Sequence, residues 1–217
     1  MKHLLLVAIL SITAFNVKAQ TSVSTTSTNL KIPALDKSPM DVSHFPVDYP
    51  VLKIKSKTVE PLIARILYSR PQKVNREVFG ELVEFNKIWR LGANEATEIE
   101  FFKDVKFNEK KLSKGRYSLF AIPTPSQWTL IFNRETDVWG AFKYDEKKDV
   151  LRVDVPVEKN TSVVEAFTMT FENGNAESGR LIIAWDDVLV NAPFVVLPDA
   201  PTPVQKATPK TTGRKKG

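Results

Sequence analysis

The sequence predicts an all-β protein: a single-domain antiparallel β-sandwich with a long, partly helical loop after the second strand. Short apolar and β-branched runs recur every ~8–14 residues between positions 51 and 196, separated by Pro, Gly or Asn. Long segments with a helical period are almost missing. Two sheets whose apolar faces meet would bury these runs, and a barrel is the chief alternative architecture.

Apolar–polar alternation and β-branched residues mark the strands in order. Pro123 and Pro125 follow the predicted strand 116–122, so the strands around them form a hairpin with a proline-containing loop. Residues 172–179 hold two glycines and two asparagines, a second hairpin signal. The predicted strands are residues 51–55, 62–68, 97–102, 105–107, 116–122, 128–132, 138–144 (the weakest), 151–157, 163–171, 181–185 and 188–196.

The long loop is the stretch from Tyr68 to Thr97, between two strand-like runs. No other segment is as dense in polar groups that a fold must satisfy internally or offer to a ligand. Apolar residues at spacings of three and four between positions 76 and 89 favour a short helix or helical turns. Gly80 weakens that prediction, because glycine disfavours a helix interior.

Four parts organise the chain. Residues 1–19 form a signal peptide, with Lys2 before a short apolar run and small residues before a cleavage point at Gln20. An uncleaved anchor is the alternative, although the run is shorter than the ~20 residues of a membrane span. Residues 20–50 are an extended Ser/Thr/Pro-rich segment in which Phe45 anchors the chain to the body. Residues 51–197 form the β-sandwich domain, and 198–217 are a disordered basic tail rich in Pro, Thr and Lys.

Export is therefore the predicted fate, with the periplasm or cell envelope as destination and the medium as a further one. The sequence has no cysteine, so the exported protein has no disulfides and depends on its core for stability. Cleavage of the signal would leave no transmembrane segment.

The basic character of the chain sits at its ends. Of the formal net charge of +6, residues 1–19 carry +2 and residues 198–217 carry +4, which leaves zero for residues 20–197. A neutral body gives no electrostatic footprint for nucleic acid, so no nucleic-acid partner is predicted.

The sequence lacks the residues that several kinds of catalysis need. After signal removal His44 is the only histidine, and it lies in a proline-rich segment that suits a surface or packing role. Zinc motifs and cysteine sites are excluded, and the glycines form no phosphate-binding loop. The acidic pairs at 145–146 and 186–187 lack the pattern of a calcium loop. We predict no catalytic residue, no metal ligand and no cofactor.

The long loop holds the candidate binding residues. A guanidinium group binds carboxylate or phosphate through two parallel hydrogen bonds, so three arginines in one loop suit an anionic small molecule or a glycan. The alternative is structural: Glu81 and Glu95 pair with the arginines, and Asn94 caps a turn. The candidate ligand-binding residues are Tyr68, Arg70, Arg76, Trp89, Arg90, Asn94 and Glu95.

At these residues the chain resembles a secreted bacterial family, domain of unknown function 2911, over residues 31–196. The family usually has glycine before the second arginine, where this chain has Asn75; asparagine tolerates the same left-handed backbone, so we expect the turn to survive. The resemblance supports the domain boundaries and export, and implies no activity. Its motifs are Tyr68-Ser-Arg-Pro71, Arg76, Phe79-Gly80, Trp89-Arg90, Gly92-Ala-Asn-Glu-Ala-Thr97, Leu112, Gly115, Tyr117-Ser-Leu119, Ile122-Pro123, Trp128, Ile131-Phe-Asn133 and Trp185.

Three functional hypotheses follow. The first is an exported binding or structural module of unknown ligand that uses residues 68–97 as its recognition surface. The second is a carboxylate-based glycan hydrolase with Glu95 as acid or base, because a glutamate among arginines is a candidate for a shifted pKa. The third is a structural envelope protein with the basic tail as its anchor. The first hypothesis makes a non-enzymatic role the favoured interpretation.

Overall fold

The computed structural model describes residues 31–56, 61–174 and 177–199. The predicted signal peptide, most of the Ser/Thr-rich spacer and the tail beyond position 199 lie outside these residues. Residues 31–34 are exposed and have no regular secondary structure. The described elements are β1 (Met40–Phe45), α1 (Tyr49–Lys55), β2 (Ala64–Ser69), β3 (Glu98–Phe101), β4 (Val105–Phe107), β5 (Lys110–Leu112), β6 (Gly115–Pro123), β7 (Gln127–Asn133), β8 (Asp149–Asn173) and β9 (Ser178–Val196).

These strands form a single open antiparallel sheet, which confirms the all-β prediction. The order is β1-β2-β3-β6-β7-β8-β9-β4-β5. Strand β8 connects the two parts of the sheet: residues 149–156 pair with β7, whereas residues 157–173 pair with β9. The predicted hairpin around Pro123 and Pro125 is confirmed, because β6 pairs with β7 from Ser118–Asn133 to Pro123–Trp128.

The last strands are longer than the sequence predicts. The separate runs 151–157 and 163–171 belong to the one strand β8, and 181–185 and 188–196 both belong to β9. Irregular pairing between Lys159 and Thr168 and a left-handed backbone at Asp186 interrupt the alternation of side chains without ending either strand. Bulges of this kind keep a strand continuous while they disturb its period of two, so the sequence pattern breaks where the strand does not.

The prediction of a strand at 51–55 is wrong, because residues Tyr49–Lys55 form the helix α1. Pro50 lies in the first turn, where its fixed φ and missing N–H suit a helix start. No residue of α1 is buried. Alternation predicts a strand only when one face packs on a core, and here neither face does.

Phe45 anchors the N-terminal segment, as predicted. Strand β1 pairs along its whole length with β2, and the buried ring of Phe45 contacts Phe171 of β8 and Phe194 of β9 at centroid distances of 5.9 and 5.1 Å. The ring also lies over Gly179, where a Cβ would come within 2.6 Å of it. Residues from both parts of the sheet therefore share one core.

A polar network fixes the start of β8. Asn133 is buried and donates to the Oδ1 atom of Asp149, and the hydroxyl of Tyr144 donates to its Oδ2 atom at 2.6 Å. Arg152 donates to both Asp149 and Tyr144 at 2.8 Å. Burial, followed by the hydrogen bond to Asp149, raises the pKa of Tyr144 to about 12.

The raised pKa of Tyr144 predicts a pH dependence of stability. Because the folded protein holds this proton more tightly than the unfolded chain, the stabilisation is complete below pH 10.0 and is lost as the pH rises towards about 12. We expect the difference in unfolding free energy between the wild type and Tyr144→Phe to narrow over that interval in urea titrations. Tyr68 and Tyr117 are present in both proteins, so their titration cancels in this difference. A difference in unfolding free energy that stays constant from pH 8 to 12 would contradict the prediction.

No helix in the described part of the chain is long and apolar enough to cross a membrane.

Candidate functional site

The loop between β2 and β3 contains turns and isolated bridges, and no helix forms between positions 70 and 97. The helical part of the prediction is therefore wrong. Residues with positive φ recur through the loop at Gly80 (105°), Asn86 (61°) and Leu91 (55°). Such residues cannot continue a right-handed helix, so the spacing of three and four reflects separate turns that each place an apolar side chain on the core.

Arg70 is a structural residue that joins three strands. Its guanidinium donates to the carboxylate of Asp41 on β1 at 3.0 Å, and to the carbonyl of Phe167 and the hydroxyl of Thr168 on β8 at 3.2 and 2.9 Å. Pro71 then forces the extended backbone that runs beside β8, where Phe167 N donates to its carbonyl at 2.9 Å. Nε and both terminal nitrogens of its guanidinium each have a partner within the fold.

Arg76 lies on a turn that Asn75 makes possible. Asn75 has φ 56°, so the expected left-handed turn survives the replacement of glycine by asparagine. The turn directs the guanidinium of Arg76 back to the carbonyls of Lys73 and Gln72, through Nε at 2.9 Å and through Nη2. No described residue accepts from Nη1 of Arg76, which is exposed.

Backbone pairing holds Trp89 and Arg90 in place. Trp89 exchanges two hydrogen bonds with Ala121 of β6, at 2.8 and 2.9 Å, and Thr97 N donates to the carbonyl of Arg90 at 3.1 Å. The buried indole of Trp89 stacks on Trp185 of β9, with centroids 6.1 Å apart and an interplanar angle of 17°. The loop is therefore attached to β6 directly before Arg90, and Arg90 is itself bonded to Thr97, the residue before β3.

Gly92 permits the close approach of the loop to β2. Its φ is +132°, and a Cβ would lie 2.9 Å from the carbonyl oxygen of Ser69. The hydroxyl of Ser69 donates to the carbonyl of Ala93 at 2.7 Å, and the indole N–H of Trp89 donates to the carbonyl of Gly92 at 3.3 Å. Only glycine combines this φ with this contact.

These elements enclose a cavity of about 210 Å³, which we call the arginine cavity. Arg76 and Arg90 supply two positive charges, and Trp89 and Trp185 form an aromatic wall. No Asp or Glu of the described residues belongs to its lining. The lining residues are Ser38, Pro71, Arg76, Leu82, Val83, Trp89, Arg90, Gly92, Ala93 and Trp185.

Arg90 is the unusual member of the arginine cavity. Its Nε is buried without a hydrogen-bond partner, and no described residue forms a hydrogen bond or an ion pair with its guanidinium. Burial lowers the pKa of Arg90. A buried, unpaired donor costs ~1–3 kcal/mol, so native proteins rarely keep one unless a ligand or solvent satisfies it.

The predicted site residues are thus divided. Arg76, Trp89 and Arg90 line the arginine cavity, whereas Tyr68 is buried against Phe167 and Arg70 serves the sheet. Asn94 and Glu95 lie on the next turn, where the carbonyl of Asn94 accepts from Gly140 at 2.9 Å and Glu95 forms a bridge with Trp139. The exposed side chain of Glu95 does not line the arginine cavity, which gives the hydrolase hypothesis no support.

The predicted pairing of the arginines with Glu81 and Glu95 is wrong. Arg70 uses Asp41, Arg76 uses backbone carbonyls, and Arg90 has no partner among the described residues. Sequence reasoning missed three lining residues of the arginine cavity. Leu82 and Val83 follow the spacing of core residues, and Ser38 is brought to the cavity only by the tertiary structure. Within residues 31–56, 61–174 and 177–199, no three His, Cys, Asp or Glu side chains are grouped closely enough to hold a metal ion.

The fold and the cavity define the class as an antiparallel all-β protein whose β2–β3 loop carries an arginine-lined cavity. The model of one protein family, described as "Protein of unknown function (DUF2911)", matches residues 52–194. The chain belongs to this family, as its motifs indicate. Comparison with curated proteins and with solved structures finds no match.

Proposed function

We propose that the protein is an exported β-sandwich binding module that holds an anionic group, a carboxylate or a phosphate, in the arginine cavity. The observation that carries this proposal is the partly buried guanidinium of Arg90, which no described residue pairs. A bound anion would supply the missing acceptor, and Arg76 would add a second positive charge. The paired Arg70 is the internal contrast, because its guanidinium already has three hydrogen-bond partners within the fold.

The size of the arginine cavity limits what enters it. Cavities for drug-sized ligands are usually ~300–1,000 Å³, so about 210 Å³ suits a single charged group with a few attached atoms. Ser38 and Arg76 also line a wider neighbouring cavity of about 690 Å³ between residues 35–39 and 72–76. A ligand whose anionic group is seated beside Arg90 has room for the rest of its body there.

Thermal unfolding in the presence of small anions tests the proposal. We expect inorganic phosphate or glucuronate to raise the Tm in a saturable manner, whereas glucose and chloride at matched ionic strength leave it unchanged. A ligand that binds only the native state at one hundred times its Kd adds ~2.7 kcal/mol to the unfolding free energy. No shift with phosphate, glucuronate, citrate or acetate would overturn the proposal.

The two-layer arrangement of the sheet is part of the same proposal. Its support is the contact of side chains from opposite parts of the sheet: Phe45 of β1 contacts Phe171 of β8, and Phe101 of β3 contacts Phe194 of β9 at 6.0 Å. An experimental structure in which these pairs are apart would contradict it.

The proposed export gives a prediction that does not depend on whether the arginine cavity binds a ligand. We expect the mature protein, purified from its native cells, to begin at Gln20 and to be found outside the inner membrane, because residues 1–19 have the composition of a signal peptide. N-terminal sequencing of the protein from separated cell fractions checks this. A cytoplasmic protein that retains Met1 would contradict it.

A further inference from the structure

A second cavity, of about 360 Å³, lies on the segment between β7 and β8. The sequence prediction assigned part of this segment, residues 138–144, to a weak strand, but it forms turns. We call it the aromatic cavity. Its lining residues are Phe120, Asn133, Glu135, Asp137, Val138, Trp139, Gly140, Phe142, Lys143, Tyr144 and Asp145.

Two large aromatic side chains of this cavity face solvent. Trp139 is 61% exposed and Phe142 is 86% exposed, whereas Trp89, Trp128 and Trp185 are all buried. The fold thus buries its other indoles and leaves this one at the mouth of a cavity, beside a second exposed ring. Exposed apolar groups that are grouped around a concavity and rimmed by polar residues mark binding sites.

Backbone hydrogen bonds fix the turn that carries these two rings. Gly140 N donates to the carbonyl of Asn94 at 2.9 Å, and Ala96 N donates to the carbonyl of Val138 at 3.0 Å. Trp139 itself forms a bridge with Glu95. The rings therefore project from a turn that is attached to the loop after β2, and a ligand would not need to order that turn on binding.

The polar groups of the aromatic cavity already have partners. Asp137 pairs with Arg116 at 2.5 Å, Glu135 pairs with Lys148, and the carboxylate of Asp145 accepts from Lys147 N at 3.0 Å. With the exposed Lys143, three cationic side chains stand beside the three carboxylates of the lining, and Arg116 is shared with Glu98. Glu135 and Asp137 are already ion-paired, and the carboxylates keep free lone pairs that can accept hydrogen bonds.

We propose that the aromatic cavity binds a neutral sugar, with the exposed faces of Trp139 and Phe142 against the apolar C–H face of the ring and the Glu135, Asp137 and Asp145 oxygens accepting from its hydroxyl groups. A neutral, hydroxyl-rich molecule with one apolar face matches apolar rings beside carboxylate acceptors, two of which are already ion-paired. This site is separate from the arginine cavity, and its ligand class is different.

Tryptophan fluorescence provides a direct test on the full-length mature protein. Because Trp139 is the only exposed indole of the four, we expect a saturable change in emission with one or more neutral hexasaccharides of glucose, xylose, mannose or N-acetylglucosamine. We expect calorimetry to show binding at least tenfold weaker in Trp139→Ala and Phe142→Ala, with partial recovery in Trp139→Phe. Phe102→Ala is the matched control, because this ring is also exposed and lies outside the cavity.

The outcomes are distinct. No binding of any of these hexasaccharides at ~5 mM, a concentration that detects millimolar Kd values, would overturn the proposal. Equal binding by the wild type and Trp139→Ala would overturn it as well. Tetramethylammonium that binds the wild type but not Trp139→Ala, without any sugar binding, would replace the sugar by a cation. Sugar binding that is the same in the wild type and in Arg90→Met would confirm that the aromatic cavity binds its ligand independently of the arginine cavity.

Discussion

Replacement of Arg90 by methionine is expected to weaken anion binding at least tenfold and to raise the stability of the unliganded protein. Methionine preserves the length and apolar stem of the side chain but removes the partly buried charge, which has no partner among the described residues. Removal of an unsatisfied buried donor should add ~1 kcal/mol to the unfolding free energy. Loss of the fork that binds the anion should weaken binding of phosphate or glucuronate at least tenfold.

Urea unfolding and calorimetry on the same preparations measure the two effects. Arg180→Met is the matched control: Arg180 is exposed, pairs with Glu172 and lies outside the arginine cavity, so both quantities should change little. A structural role for Arg90 predicts the opposite sign of the stability change. If Arg90→Met is less stable by ~2 kcal/mol and binds anions as the wild type does, the proposed function is wrong.

The second large effect is expected for Gly92→Ala, which should lower the unfolding free energy by roughly 2–4 kcal/mol. The backbone at φ +132° is strained for alanine, and the added Cβ would lie 2.9 Å from the Ser69 carbonyl, a backbone atom of β2 that cannot move alone. The loop would have to withdraw from β2, and with it Trp89 and Arg90. Anion binding should therefore be lost together with stability.

Gly140→Ala provides the comparison for Gly92→Ala. Gly140 has φ +68°, which L-residues visit at a cost of ~1–2 kcal/mol, and the atoms nearest to an added Cβ belong to the ring of Phe142, an exposed side chain that can turn away. Urea titrations of both variants measure the two losses of unfolding free energy. A smaller loss for Gly92→Ala than for Gly140→Ala would show that the contact with Ser69 is not a constraint.

Local sequence patterns predicted most of the sheet, because β3 alternates between buried and half-buried residues and β6 and β7 are short apolar runs buried on both faces. It failed at α1, where alternation occurs on a helix with no buried residue, and in β8 and β9, where bulges hide the continuity of the strands. An alternating sequence pattern predicts a strand only where it follows the alternation of buried and exposed side chains, and in these segments it does not.

The sequence located the arginine cavity but could not assign the role of each arginine. Arg70 is satisfied by Asp41, 29 positions earlier, and by Thr168, 98 positions later. Arg90 is distinguished by the absence of any such partner among the described residues, and this depends on the whole fold. Trp139 and Phe142 gave no signal, because an aromatic residue on a weak strand looks the same whether it faces the core or the solvent.

The place of β9 in the sheet has a consequence for biosynthesis. Phe45, close to the N-terminus of the folded body, packs on Phe194, near its C-terminal end, and β8 depends on β9 for the pairing of residues 157–173. The core therefore cannot close until β9 has emerged from the ribosome, about 150 residues after Phe45.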